Sequence, residues 1–165
     1  MSDLRDAFAA AGCTGVRTYI QSGNVIFESP DKNTAEVFQK VRVKLRDLLG
    51  HEPGVLFRTV REVEDIVRRA PFQGFEAEPG IKLYVAFLFR RPRSKPRLPL
   101  VSSKEALEAV AMKNLHVFIV SRRKRNGFYG FPNNFIEKEL GVSATSRNWS
   151  TLTKIVESVR REPDG

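Results

Sequence analysis

Residues 16–27 read VRTYIQSGNVIF. Two β-prone runs, Val16–Ile20 and Val25–Phe27, flank the triplet Ser22-Gly23-Asn24. β-branched and aromatic residues suit extended backbone, whereas Gly and Asn tolerate positive φ. The stretch therefore predicts two strands joined at a bulge or tight turn. On its N-terminal side, Leu4 and Phe8 lie at i, i+4. They predict a helix capped by Ser2 or Asp3, running to about Ala11 and stopped by Gly12. On its C-terminal side, Ser29-Pro30-Asp31 predicts a turn. Thr34–Leu49 follows as a helix, because Val37, Val41, Leu45, Leu48 and Leu49 recur at helical spacing.

Further along, Val55–Thr59 reads as a short strand, and Thr59 as the cap of a helix reaching about Ala70. Lys82–Phe89, KLYVAFLF, is strongly β-prone. The following segment carries prolines at 92, 96 and 99 and predicts an exposed extended loop. Ser102 or Ser103 with Glu105 predicts the start of a short helix whose apolar positions are Leu107 and Val110. Leu115–Val120 predicts a strand, and after a polar turn Gly127–Phe131 predicts an antiparallel return. Asn133–Leu140 and Ser150–Val159 predict the last two helices. Helices interleaved with hairpins and crossovers imply an α+β fold with antiparallel or mixed sheet.

The chain has 165 residues, the size of one domain or of two small lobes. With 41% hydrophobic and 28% charged residues it has a globular composition. The formal net charge of +9 is unevenly spread. Residues 1–81 hold 11 basic and 12 acidic side chains, and residues 126–165 hold 5 of each. Residues 82–125 hold 12 basic and 2 acidic side chains, a local excess of +10. Cys13 is the only cysteine, and His51 and His116 are the only histidines. An intramolecular disulfide is excluded, and neither a structural metal nor a bound cofactor is expected. There is no P-loop, no dinucleotide fingerprint and no nucleophile elbow around Ser22. Glu137 and Glu139 fall on different faces of their helix, a poor acid/base pair, so enzymatic activity is left open. No apolar run approaches membrane-spanning length, and the N-terminus lacks the pattern of a signal peptide. These features point to a soluble cytoplasmic protein without a membrane partner.

Two stretches are more specific. One is Arg17–Phe27, preceded by DLRDAFAAAG. The other is Phe135–Val142, FIEKELGV, followed by Ala144–Thr151, ATSRNWST. Together with KLYVAFL between them, they resemble bacterial domain-of-unknown-function family 1697 over nearly the whole chain. The resemblance implies an α+β fold of two ferredoxin-like lobes sharing one core, at about 1–75 and 76–165. It implies no established activity. It also implies a further strand and glycine-containing loop ahead of the first helix. This chain begins at that helix, so an uncovered strand edge is expected to favour self-association.

Two sets of side chains are candidates for binding. Arg17, Gln21, Ser22 and Asn24 in the first motif, with Arg147, Asn148 and Thr151 at the start of the last helix, could hold a small anionic ligand. The same residue types also serve turns and caps, and that plainer role is favoured by their backbone chemistry. The alternative is nucleic-acid binding by Arg90, Arg91, Arg93, Lys95 and Arg97 with Arg122, Arg123, Lys124 and Arg125. If the strands beginning at Lys82 and Leu115 run side by side in one direction, the two clusters meet at one sheet edge. Phe128, Tyr129 and Phe131 follow directly, and aromatics beside arginine are the single-strand pattern. KRNGFYGF has the flavour of an RRM aromatic signature, but one extra residue flips the strand phase, so that match is read as chance.

Overall fold

The computed structural model describes residues 2–19, 23–30 and 34–161. The chain divides into two units, Met1–Phe57 and Arg58–Gly165. In the first unit, α1 (Ser2–Ala10) is followed by β1 (Thr14–Tyr19), β2 (Asn24–Glu28) and α2 (Thr34–Leu49). β1 and β2 pair antiparallel, with Tyr19 opposite Asn24 and Thr18 opposite Val25. The two predicted strands thus form one antiparallel pair, and Ser22 of the predicted turn lies outside the described residues. Phe8, Ala11 and Cys13 pack with Val37, Val41 and Leu45 of α2. Phe27 sits among three rings, 5.0 Å from Phe8, 6.4 Å from Phe38 and 6.2 Å from Phe57. Val55 and Phe57 join this core, but residues 55–59 form no strand. Their side chains are held by packing, with no ladder to hold their backbone.

The second unit contains α3 (Val60–Arg68), β3 (Ile81–Leu88), β4 (Leu100–Ser102), β5 (Leu107–Lys113), β6 (His116–Arg122), α4 (Asn133–Leu140), β7 (Ala144–Asn148) and α5 (Trp149–Arg161). Five strands form one sheet in the order β4-β5-β6-β3-β7, and every neighbouring pair is antiparallel. The α+β class is therefore realised with antiparallel sheets in both units. β3 lies between β6 and β7 and is buried from Tyr84 to Leu88. Alternation sends Tyr84, Ala86 and Leu88 to one face and Val85 and Phe87 to the other. The first face packs on Ile136 and Leu140 of α4, with Leu98 and Leu100 alongside. On the other face Phe72 makes edge contacts with Phe118 of β6 at 5.8 Å and with Trp149 of α5 at 5.1 Å.

Three expectations fail here for physical reasons. The helix expected from Ser102 or Ser103 is strand β5, whose Leu107 and Ala109 are buried against β6 in a two-residue rhythm. The antiparallel return of Gly127–Phe131 shrinks to one bridge between Arg123 and Tyr129. β7, a short polar edge strand, forms where only the approach to a helix was expected. Other expectations hold. Thr59 caps α3 through a capping box with Glu62, and Gly141 ends α4 at φ +67°.

Gly130 is the tightest backbone approach in the unit. A Cβ there would lie 2.5 Å from the Glu105 carbonyl oxygen and 3.2 Å from the Leu107 side chain. Gly130→Ala should therefore destabilise the second unit by about 1–3 kcal/mol. Urea unfolding followed by Trp149, the sole tryptophan, checks this. An unchanged midpoint would show that the backbone can yield.

Candidate functional site

The register of β3 against β6 decides where the basic side chains lie. Ile81 faces Arg122, and Phe87 faces His116. The strands are adjacent but run in opposite directions, contrary to the arrangement that would bring both clusters to one edge. Arg90–Arg97 leave the Leu88 end of β3, whereas Arg122–Arg125 lie at its Ile81 end. Seven steps of about 3.4 Å separate Ile81 from Leu88 by roughly 24 Å.

At the Ile81 end, residues 123–129 form a tight reversal. Lys124 N–H donates to the Phe128 carbonyl at 2.9 Å, and Gly127 N–H to the Lys124 carbonyl at 2.9 Å. Asn126 Oδ1 accepts from Phe128 N–H at 2.9 Å. Arg123 N–H donates to the Gly80 carbonyl, and the buried Ser121 hydroxyl donates to the Gly130 carbonyl at 2.8 Å. Lys82 Nζ lies 4.6 Å from the Tyr129 ring centroid. Phe131 meets Tyr84 edge-on at 5.7 Å. Phe128 and Phe131 nevertheless remain 71% and 56% exposed.

Acids neutralise part of this cluster. Arg122 reaches Glu108 at 2.9 Å and Glu78 at 4.0 Å, and Lys124 reaches Glu105 at 3.4 Å. Arg123 and Arg125 are exposed, as are Arg91, Arg93, Lys95 and Arg97 in the other loop. Arg90 donates to the Gly141 carbonyl at 3.2 Å.

The residues considered for a small anion are distributed between the two units. Arg17 and Asn24 are half-buried members of the β1–β2 hairpin, opposite Ile26 and Tyr19. Gln21 and Ser22 lie outside the described residues. In the second unit Arg147 donates to Thr145 Oγ1 at 3.0 Å and to the Ser146 carbonyl at 2.9 Å. Burial lowers its pKa. Asn148 Oδ1 accepts from the Ser150 N–H at 2.9 Å and from the Ser150 hydroxyl at 2.7 Å. That is an N-cap on α5. Thr151 is half-buried in the first turn.

A cleft of about 100 Å³ opens between α3 and the β5–β6 turn, lined by Glu62, Asp65, Arg69, Lys113, Asn114 and His116 among others. His116 is 6% exposed, with its ring edge-on to Phe87 at 5.3 Å. Arg58 Nε donates to His116 Nε2 at 3.0 Å, and the guanidinium lies 5.7 Å from the Phe87 centroid. Glu62 approaches Arg58 Nε at 3.9 Å. Accepting from Arg58 requires a neutral imidazole with its proton on Nδ1. Burial first, and then the Arg58 charge, lower the His116 pKa to about 4, partly offset by Glu62 and a hydrogen bond with the Lys113 backbone. Nothing in the sequence pairs residues 58 positions apart. The only local hint is the spacing of Arg58 and Glu62 around the Thr59 cap.

The family model described as protein of unknown function (DUF1697) matches residues 1–118. The chain belongs to this family. The match ends within β6, so the 123–129 reversal and the Phe135–Thr151 motif lie outside the matched residues of this DUF1697 protein. No curated protein and no solved structure matches the chain. Among the described residues no helix is long and apolar enough to cross a membrane. Among them also, no three His, Cys, Asp or Glu side chains gather as a metal site would require.

His116 gives a pH test of this geometry. The unfolded chain takes up its proton below about 6.5, whereas the folded chain does so only near 4. The contribution is therefore full above pH 6.5 and is lost as pH falls from 6.5 to 4. It amounts to roughly 3 kcal/mol. His116→Gln should flatten the stability profile over that window relative to the unsubstituted protein in urea titrations. Identical profiles would show that the imidazole is not held neutral.

Proposed function

We propose that the second unit binds nucleic acid through its phosphates. The observation that carries this reading is the charge left after pairing. Among the described residues, no carboxylate comes within ion-pair reach of Arg91, Arg93, Lys95, Arg97, Arg123 or Arg125. All six are exposed. Unpaired cations at the surface repel one another, and a polyanion relieves that repulsion by releasing its own counterions.

The separation of the clusters also bears on the ligand. Arg90 and Arg91 follow one end of β3 and Arg122–Arg125 lie at the other, roughly 24 Å away along the strand, so these cations do not converge on one small anion. They suit a polymer of phosphates. The small-anion reading draws less support, because Asn148 is engaged as a cap and Arg147 bonds along its own strand. The strand order β5-β6-β3-β7, with the proline-rich segment crossing from β3, supports reading this unit as ferredoxin-like.

Anisotropy of a labelled 12-nucleotide strand and its duplex, titrated with the full chain, tests the proposal. Affinity should fall linearly on a log–log plot against salt, by about 0.7–0.9 decades per decade for each phosphate contacted. Arg123→Glu with Arg125→Glu, and separately Arg91→Glu with Arg93→Glu, should each weaken binding and make that slope shallower. Absence of association with either oligonucleotide at about 50 mM salt, where phosphate contacts are strong, would end this reading.

A further inference from the structure

We infer that the 123–131 tip is a stacking platform that selects single-stranded nucleic acid, with Phe128 and Phe131 meeting bases while Arg123 and Arg125 meet phosphates. This inference rests on the phosphate-binding proposal and adds to it the class of strand. Phosphate contacts alone do not distinguish a duplex from a single strand, since both present a charged backbone. The distinguishing feature is the pair of exposed phenyl rings. Isolated exposed apolar residues need no explanation. Here two rings three positions apart, 71% and 56% exposed, share one short segment with two exposed arginines. Apolar surface rimmed by cations marks an interaction site, and unstacked bases offer a π-face that such rings accept regardless of sequence.

Three observations make the platform a fixed one. The reversal is closed by the Lys124, Gly127 and Phe128 hydrogen bonds and anchored to the sheet through the Gly80 and Gly130 carbonyls. Tyr129 lies against Lys82 and Phe131 against Tyr84. Lys82 and Tyr84 are successive same-face residues of β3, so Tyr129 and Phe131 are set about 7 Å apart along the strand, which holds Phe131 in place. A platform already ordered costs little conformational entropy on binding. The sheet faces themselves are unavailable, because the first is covered by α4 and the second by Phe72 and Trp149. Bases must therefore be met at the tip rather than across the sheet, unlike modules that stack bases on an open sheet face.

The test uses the full chain and four probes: a 12-nucleotide thymidine strand, its uridine counterpart, a 12-base-pair duplex and an abasic strand of equal charge. At equal salt, both base-containing strands should bind more tightly than the duplex, and about five-fold or more above the abasic strand. Thymidine and uridine strands binding alike would support recognition by ring and phosphate. Phe128→Ala should cost the base-containing strands about five-fold or more. It should leave abasic binding and the salt slope unchanged. Arg125→Gln should weaken all four probes and reduce the slope by about one contact. Phe128 is exposed, so circular dichroism should show the Ala variant folded.

Salt-dependent binding that is equal for abasic, duplex and base-containing strands, and insensitive to Phe128→Ala, overturns the stacking platform while sparing the phosphate proposal. Failure of all four probes overturns both. Vesicles of phosphatidylcholine with phosphatidylserine complete the experiment. Binding to them that is lost in Phe128→Ala, with no oligonucleotide bound, would reassign the tip to an anionic lipid surface and overturn the inference.

Discussion

Tyr84, Val85, Ala86, Phe87 and Leu88 are buried without a break, and the second unit is arranged around that fact. A strand buried on both faces needs its backbone groups paired on both edges and its side chains covered on both sides. β6 and β7 satisfy the edges. Ile136 and Leu140 cover one face, while Phe72 and Trp149 lie over the other. Each Val, Leu or Phe so buried contributes about 1.5–3 kcal/mol. An unpaired charge in their place would cost several kcal/mol. The run therefore excludes ionised groups from β3 between Tyr84 and Leu88.

The Arg58–His116 pair shows how a cation survives at the margin of that core. Arg58 directly precedes the Thr59 cap, so it sits where α3 begins. Its side chain is 16% exposed, and burial lowers its pKa, partly offset by Glu62. A charged imidazole beside it would add a second buried cation. A neutral one supplies an acceptor, and Phe87 supplies a π-face. The histidine is thus fixed in one tautomer by what the arginine needs. The same engagement makes His116 a poor proton carrier near neutral pH, although it lines a cleft.

Local chemistry made most of the fold legible. Thr34–Leu49 follows from its apolar spacing, and α3 from Thr59 and Glu62. The failures share a cause. Residues 107–113, LEAVAMK, are helix formers by composition, yet β6 offers a β-rich partner and the alternation of Leu107 and Ala109 inward wins. Val55–Thr59 is β-prone, but no neighbouring strand pairs with it among the described residues. β7 is too short and polar to announce itself, and exists because the β3 edge is open to it. The basic clusters were visible as composition. Their relation was not, because it depends on strand direction, which the turn at Asn114–Leu115 sets by joining β5 to β6.

That direction gives the charge excess its meaning. With the middle of β3 closed to ions, the cations of residues 82–125 occupy connections and strand ends. Position there is forced, but neutralisation is not. Arg122 and Lys124 show that acids can be set beside these cations, since Glu78, Glu105 and Glu108 serve them. A surface shaped only for solubility intersperses the two signs. Here the pairing stops short of Arg123 and Arg125, the two arginines that share the tip with Phe128. Leaving those cations unpaired costs self-repulsion in the free protein. The arrangement gains a rationale when an anion with an apolar face completes it, and a strand of unpaired nucleotides carries both.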